Sequence, residues 1–416
     1  MKAGAMANDD RSEVLVLGGG IAGTSTAYYL ARYGHDVTLL ERGEIAGAAS
    51  GLNAGTIWAV GWGTLPTLDS TLSMGSLEMF QTFQFELDYD LGFRQGGSLQ
   101  VIQTEAEYQF ASESVRRLTT QGFHVELCDA RDARTIEPAL SDHVLGCVSY
   151  PLGASADPAA ITRAFAAEAQ RHGARILPGH DVTALACGDD GAGYTVTTTE
   201  GRVFSARTLV LAAGAWSRQV GALLGLELPV FAVRGQMWAT APTARRLFHS
   251  IGAVESARYW HADPAGSATT PLELTHWEGA RRTRHLYGQQ LRDGTIIIGG
   301  DRQLSDDATP DPEGIAANHA HARELFPFLR DLPIQRTWAG WMPFTARLEP
   351  IIGKISGFER LYVLTGLSSS GFEQGPMAGK LLADYIHTGE AAPLLAAADP
   401  MRQVSALAHP QAGFSG

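Results

Sequence analysis

"EVLVLGGGIAGTSTAYYLARYGHDVTLLER" (Glu13–Arg42) decides the fold. Val14–Leu17 is an unbroken apolar run, the pattern of a strand buried on both faces. Three glycines follow, then a segment with helical spacing that Gly34 can end as a C-cap. A second apolar run, Val37–Leu40, closes the unit. Strand, glycine turn, helix and strand make a βαβ unit, and its right-handed crossover demands a doubly wound sheet.

The turn satisfies G-x-G-x-x-G with Gly18, Gly20 and Gly23. Gly18 makes the tight turn, Gly20 lets the backbone approach a pyrophosphate, and Gly23 lets the helix pack closely. Ile21 and Ala22 open the helix, whose N-terminus favours phosphate. Glu41 ends the second strand at about the ~20-residue separation of an acid that accepts from a ribose hydroxyl. An acid there disfavours a 2′-phosphate, although Arg42 stands beside it. The fingerprint alone suits NAD and FAD equally, and two later features favour flavin. "TLVLAAGAWS" (Thr208–Ser217) brings another strand to a glycine turn at Gly214. "LYVLTGLSSSGFEQGP" (Leu361–Pro376) sets a Gly- and Ser-rich loop before the last helix. That helix N-terminus can offer N–H donors to negative charge on a flavin ring.

With 416 residues the chain exceeds one simple core, so two domains are expected. A charged fraction of 18% and an apolar fraction of 45% fit a well-packed enzyme and exclude disorder. A net charge of −12 argues against a nucleic-acid partner, because phosphate binding needs a basic face. Cys128, Cys147 and Cys187 are odd in number and lack C-x-x-C spacing, so they read as small buried residues rather than disulfide or zinc ligands. No apolar run approaches a membrane span, and "MKAGAMANDDRSE" has no apolar core, so a cytoplasmic location is expected.

Sheet-building pieces recur at the start, middle and end of the chain. "SADPAAITRAFAAEAQRHGARILPG" reads as a helix capped by Asp157, with Pro158 in its first turn and Gly173 at its end, then a strand. "YTVTTTEGRVFSARTLVL" reads as a hairpin feeding a buried strand. Strands dominate from Leu228 to about Arg336, and the last helix is "PMAGKLLADYIHTG". The expected nucleotide-binding domain is residues 12–90, 151–226 and 337–392, and the substrate domain is 91–150 and 227–336, with a tail at 393–416.

The ordered motifs "LGGGIAG", "LLER", "AGAASGLNAG", "DPAAI", "LVLAAGAWS", "PVFAVRGQMW", "DGTIIIGGD", "WAGWMPFT" and "GLSSSGF" cover Glu13 to about Gly389. Together the chain resembles the D-amino-acid oxidase superfamily of FAD-dependent amine oxidoreductases, which includes glycine oxidase, sarcosine oxidase and D-amino-acid dehydrogenase. The resemblance implies an α/β (α+β overall) fold: a Rossmann-like FAD-binding domain with an interleaved, mostly antiparallel sheet domain that covers the isoalloxazine and encloses a small substrate. It implies oxidation of a carbon–nitrogen bond to an imine by hydride transfer to flavin N5. Gly18, Gly20, Gly23, Glu41 and Arg42 look like the ADP-binding group. Ala49, Ser50, Asn53, Ala54, Gly55 and Thr56 match the loop around the pyrophosphate and flavin edge. Val182 matches an adenine contact, and Ala213, Gly214 and Trp216 match the middle turn. Gly340, Ser370, Gly371 and Phe372 match flavin-ring contacts. No cysteine follows Cys187 and the early loop has no histidine, so FAD is expected to be non-covalent. No catalytic side chain and no metal is implied; His261 and His285 read better as structural or surface histidines.

"WAGWMPFTARLEPIIG" (Trp338–Gly353) departs from the family pattern. Many relatives read "GLRPxTPDGxPxIG" here, with the arginine gripping a substrate carboxylate. This chain has Met342 at that place and Arg347 for the aspartate, and the loop before the last helix offers only Ser368–Ser370. Either Arg347, Arg302 or Arg258 supplies a replacement clamp, or the substrate lacks a nearby carboxylate and lies against Trp58, Trp341 and Met342. Tyr259 and His261 are further candidates, and Arg281, Arg282 and Arg284 read as a solvated basic face. The expected partners are a small amine or amino acid, oxygen or another electron acceptor, and a homo- or hetero-oligomeric chain. Two other readings stand beside this one. One is a flavin subunit active only with a partner; the other is an NAD-dependent dehydrogenase sharing only the first βαβ unit.

Overall fold

The computed structural model describes residues 10–188, 193–262 and 270–407, without the side chains of residues 261 and 262. In chain order the strands used below begin with β1 (Arg11–Leu17), β2 (Val37–Leu40), β3 (Ser98–Ile102), β4 (Glu126–Asp129) and β5 (Gly146–Tyr150). Next come β6 (Arg175–Leu177), β7 (Val182–Cys187), β8 (Tyr194–Thr198), β9 (Val203–Leu211), β10 (Phe231–Thr240) and β11 (Ser250–Ala253). The last are β12 (Tyr287–Gln290), β13 (Ile296–Leu304), β14 (Ile334–Phe344), β15 (Ile351–Lys354) and β16 (Leu361–Thr365). The helices used below are α1 (Ile21–Arg32), α2 (Ala49–Leu52), α3 (Leu68–Phe85), α4 (Pro158–Arg171), α5 (Glu255–Ala262), α6 (Pro312–Leu325) and α7 (Gly371–Thr388).

The chain divides into two units. Unit 1 gathers Met1–Gly51, Thr162–Phe231 and Pro343–Gly416, and unit 2 gathers Leu52–Ile161 and Ala232–Met342. The first crossing therefore falls at Leu52, not near residue 90. Helix α3 explains it: its residues Gln84 and Phe80 are committed to the segment that follows. Gln84 Oε1 accepts from the N–H of Leu91 (3.1 Å) and Phe93 (3.3 Å). Phe80 stacks on Phe93 at 6.3 Å.

Unit 1 is built on the parallel order β6-β2-β1-β9-β16, with β15 antiparallel at the far edge and the β7–β8 hairpin added to β9. Val14, Leu15 and Val16 are fully buried, as are Leu209–Leu211, which is why β1 and β9 read as continuous apolar runs. The chain leaves β1 for β2 on one side, while β9 lies on the other, so the strand order reverses at the carboxyl ends of β1 and β9. Helices α1 and α7 meet through small residues. A Cβ on Gly375 would lie 2.6 Å from Ile21 Cγ2, and one on Gly379 would overlap Ser25 Oγ and come 2.8 Å from the Thr26 nitrogen. Four-residue spacing puts the two glycines on one face of α7, and Ser25 Oγ donates to Gly375 O at 3.3 Å. The last helix starts at Gly371, five residues before the expected Pro376, because a 3-10 turn at Ser368–Ser370 feeds it directly and the helix continues through the proline.

Unit 2 carries the sheet order β14-β10-β13-β12-β11-β3-β5-β4, antiparallel at β10/β13, β13/β12, β12/β11, β3/β5 and β5/β4 and parallel at β11/β3. One face is its core: Trp238, Leu247, Ile251, Leu286, Ile296 and Ile298 pack with Ile315, Ala322 and Leu325 of α6. Trp238 Nε1 donates to Asn318 Oδ1 at 2.7 Å. Helix α6 interrupts the stretch expected to be strands. Asp311 caps Glu313 and Gly314 with Pro312 at the first position, the same signal that Asp157 and Pro158 give at α4. Cys128 and Cys147 are buried opposite one another on β4 and β5, whereas Cys187 is exposed on the β7–β8 hairpin, against the expectation of three buried thiols. Among the described residues no helix is long and apolar enough to cross a membrane.

Two outcomes follow from this packing. Gly379→Ala gains roughly 1 kcal/mol of helix propensity, yet should lower the unfolding free energy in urea, since over-packing costs ~1–3 kcal/mol. Adding Ser25→Gly should recover part of the loss and leave the share due to Thr26. In unit 2, burial depresses His276, His285 and His319, and takes His321 from 6.5 to about 3. The unfolded chain then binds more protons below its own histidine pKa of about 6.5, so this contribution is present above that pH and lost as pH falls. Urea midpoints followed by tryptophan fluorescence should drop between about pH 7 and 5. His319→Gln should flatten that slope.

Candidate functional site

In unit 1 the glycine turn is shaped by missing side chains. A Cβ on Gly23 would overlap Gly18 O, and one on Gly18 (φ +119°) would overlap Ala212 O. The β1–α1 turn therefore lies against the chain leaving β9. Gly20, at the N-cap of α1, has no side chain, and Ser50 Oγ on α2 accepts from the Ile21 N–H at 2.9 Å instead. The first turn of α1 itself holds no acid, and a carboxylate comes to its positive end from Glu41. Glu41 reaches back to the same turn. Its Oε2 accepts from Gly19 N–H at 2.6 Å and its Oε1 from Gly43 N–H at 2.8 Å. These charge-assisted bonds fix the carboxylate, and each oxygen keeps a lone pair for another donor.

The Arg42 guanidinium lies 3.7 Å over the Trp216 ring. Trp216 ends the second glycine turn after Ala213 and Gly214 (φ +53°). Thr365 Oγ1 donates to Gly214 O at 3.2 Å and accepts from Ser217 Oγ at 2.8 Å, tying that turn to the end of β16. From there the chain enters Ser370, Gly371 and buried Phe372 at the start of α7. Val182 opens β7 two residues beyond His180, whose N–H bonds Glu41 O at 2.8 Å. Unit 1 thus gathers the two glycine turns, Ala22 in the first turn of α1, the acid at the end of β2, Ala49 and Ser50, and the start of α7. These groups fit an anionic dinucleotide with a ribose hydroxyl to satisfy.

Asn53, Ala54, Gly55, Thr56 and Gly340 belong to unit 2. There they are held on the sheet face opposite α6. Asn53 Oδ1 accepts from Gly55 N–H at 2.7 Å, and Gln289 Nε2 donates to Ala54 O at 2.5 Å. Thr56 pairs with Ser155, Trp338 Nε1 donates to Leu52 O at 2.8 Å, and a Cβ on Gly340 would lie 3.0 Å from Leu52 Cδ1. Strand register assigns the rest of this face. Tyr287 opposes Gly252 and Gly299, and Gly299 opposes Met237. Trp58 lies over Gly252 (3.0 Å from its Cβ position) and edge-on to Tyr150 at 5.5 Å.

Between β10 and β13 the register slips by one residue at Gly300 (φ +133°), so that Met237 and Gln236 oppose Gly299 and Asp301. This bulge turns Asp301 toward α6 and returns Arg302, opposite Gly235, to the face of Tyr287. Met342 lies on that face too, its Cε 2.7 Å from the Cβ position of Gly235. Trp341 does not: alternation puts it on the other face, where its Nε1 donates to Ser305 O at 2.8 Å. Trp341 and Met342 therefore cannot form one wall.

Arg302 Nη1 donates to Glu273 Oε2 at 2.7 Å, and its guanidinium sits 5.2 Å from the Trp260 ring. The His285 ring is 4.7 Å from Trp260 and 6.0 Å from Tyr287. Burial first, then the Arg302 charge, drives the His285 pKa well below the ordinary value, so this imidazole is neutral. The other proposed clamps are placed differently. Arg258 is half-buried, 5.8 Å from the ring of exposed Tyr259 on its own helix. Arg347 is exposed and belongs to unit 1. The His261 side chain lies outside the described residues. The basic run is not a solvated face: Arg281 donates to buried Asp301, Arg284 pairs with Glu255 and Glu324, and only Arg282 is exposed. Sequence reasoning missed Trp260, Tyr287 and Glu273. Tyr287 was readable from the alternation His285, Tyr287, Gln289; Glu273 gave no signal.

Residues 13–385 match the family DAO, FAD dependent oxidoreductase. The chain belongs to this family. Its cofactor is FAD, which sets aside the nicotinamide reading. Mouse mitochondrial dimethylglycine dehydrogenase is 27% identical over 94% of this chain, which spans only 44% of that longer protein. D-amino acid dehydrogenase of Neisseria gonorrhoeae is 27% identical, covering 90% of this chain and 95% of its own length. Among solved structures, glycine oxidase from Geobacillus kaustophilus superposes with a TM-score of 0.80 at 23% identity, over 94% of this chain and 98% of that one, which establishes the shared fold.

Glu41→Gln keeps the shape but offers one acceptor oxygen where two N–H groups converge. A lost charge-assisted bond is worth about 1.5–3 kcal/mol. The variant should unfold at lower urea even without cofactor, and should release FAD on gel filtration where the parent retains it.

Proposed function

We propose that this chain oxidises the carbon–nitrogen bond of an amino acid or secondary amine to an imine, with FAD held non-covalently in unit 1. The observation that carries the reading is the assembly in unit 1 of both glycine turns, the Glu41 carboxylate and the start of α7. When bound, FAD supplies the two-electron acceptor for a hydride.

The residues of this chain bind and orient. Gly18, Gly20, Ile21 and Gly23 would lie along the pyrophosphate, with the N-terminus of α1 favouring its charge. Glu41 would accept from a ribose hydroxyl while its two backbone bonds hold it in place. In unit 2, Trp58, Tyr287, Met342 and neutral His285 form a largely apolar face that suits an uncharged amine, the form from which hydride leaves. Holding the reacting C–H in one orientation is the larger part of such catalysis, and no side chain has to act as a general base. The D-amino acid dehydrogenase and dimethylglycine dehydrogenase relatives support an amine substrate.

Purified protein should be yellow, and denaturation should release all of the flavin into solution. Anaerobic addition of glycine, sarcosine, D-amino acids or proline-like imino acids should bleach the visible flavin bands for at least one of them. A colourless, properly folded protein would sink the proposal. Bleaching that needs a second chain would make this the flavin subunit of a larger enzyme.

A further inference from the structure

Among the described residues, three arginines hold a buried nitrogen without a partner: Arg94, Arg234 and Arg302. Arg234 spends both Nη groups on structure, on Gln303 Oε1 and the carbonyls of Asp307 and Thr309. Arg94 has a single contact of 3.5 Å, to Gln290 O, beside a second arginine, Arg245, that holds the same carbonyl. Arg302 is different. Its side chain is 8% exposed, yet only Nη1 is engaged, by Glu273, and Nε–H is orphaned. Nε–H and Nη2–H are parallel donors on one edge of a guanidinium, spaced to match the two oxygens of a carboxylate. Leaving the buried Nε–H of that edge unpaired is costly unless something arrives to use it.

The surroundings are those of a binding site and not of a structural ion pair. The Gly300 bulge exists in this register only because one extra residue re-aims position 302, and without it Arg302 would point beneath α6. Trp260 supports the guanidinium and also contacts His285, which stacks on Tyr287. Across the sheet, Gly235 separates Arg302 from Met342 and leaves no side chain of its own between them.

We propose that Arg302 is the carboxylate receptor of this enzyme: its Nε–H and Nη2–H edge takes the carboxylate of an amino-acid substrate, with Glu273 retained on Nη1 and the indole of Trp260 beneath. This rests on the amine-oxidising reading above and narrows it to substrates that carry a carboxylate. With its amine uncharged, such a substrate brings one negative charge that the free edge of Arg302 offsets, whereas an amine without a carboxylate brings nothing for that edge to bind.

The test is calorimetric titration of the FAD-loaded protein with benzoate, and with benzylamine as the cationic match. Benzoate should bind the parent protein. Arg302→Gln should weaken it at least ~30-fold and Arg302→Lys, which keeps the charge and loses the fork, ~10-fold. Glu273→Gln should tighten it several-fold, and Arg292→Gln, an exposed control, should leave it within about twofold. The lysine variant also guards against misfolding, since its ion pair with Glu273 survives. Benzoate binding to Arg302→Gln with parental affinity would overturn the assignment. So would loss in Arg347→Gln or Arg258→Gln in place of Arg302→Gln, or failure of benzoate to bind the parent at about 50 mM, a concentration at which even a weak millimolar site would fill. Because the titration reads binding alone, it stands apart from whether any amine bleaches the flavin, which tests the broader reading.

Discussion

Unit 1 depends on places where a Cβ cannot exist. Gly23 lies against the Gly18 carbonyl, and Gly18 lies against Ala212 at the end of β9. Those two contacts bring the first turn, helix α1 and the second turn to one place. Gly375 and Gly379 extend the same logic to α7, whose backbone lies close to α1 at Ile21, Ser25 and Thr26. Any side chain at these points would push the elements apart by more than hydrogen bonds such as Glu41 to Gly19 can span. The nucleotide cradle is thus a packing consequence before it is a chemical one.

Unit 2 is organised by a different device. Its sheet buries one face under α6, while the other carries Met237, Ala239, Ile297 and Tyr287 together with Arg302. A regular strand would send Asp301 to that second face and Arg302 beneath the helix. The bulge at Gly300 exchanges them. Asp301 then meets Gln236, Thr275 and Arg281 inside the protein, where a buried carboxylate needs several donors. Arg302 gains Trp260 and Glu273. One extra residue therefore decides which charge lies beneath α6 and which lies on the opposite face.

Much of unit 1 was legible because its signals are local. The strand–glycine–helix sequence, the acid at Glu41, the Asp157–Pro158 cap and the alternation in the β8–β9 hairpin each act within a few residues. The last helix was placed five residues late because a proline was read as its start, although a helix can carry Pro376 in its early turns. Helix α6 was overlooked although Asp311 and Pro312 announce it in the same way as α4. The first boundary was set too late because nothing local shows that α3 commits its end to Leu91 and Phe93.

The sequence by itself determined the doubly wound nucleotide unit and the interleaving of a second sheet, because these rest on short-range periodicity and on glycines that only one turn geometry requires; the flavin class followed from the order of its motifs taken together. Only the tertiary structure distinguishes the three candidate arginines. Arg258, Arg302 and Arg347 look alike in the chain. They differ only in burial, in partners and in the face to which a bulge directs them, and those are set by strands far apart in sequence. It also separated Trp341 from Met342, neighbours in the chain that the pleat of β14 sends to opposite sides.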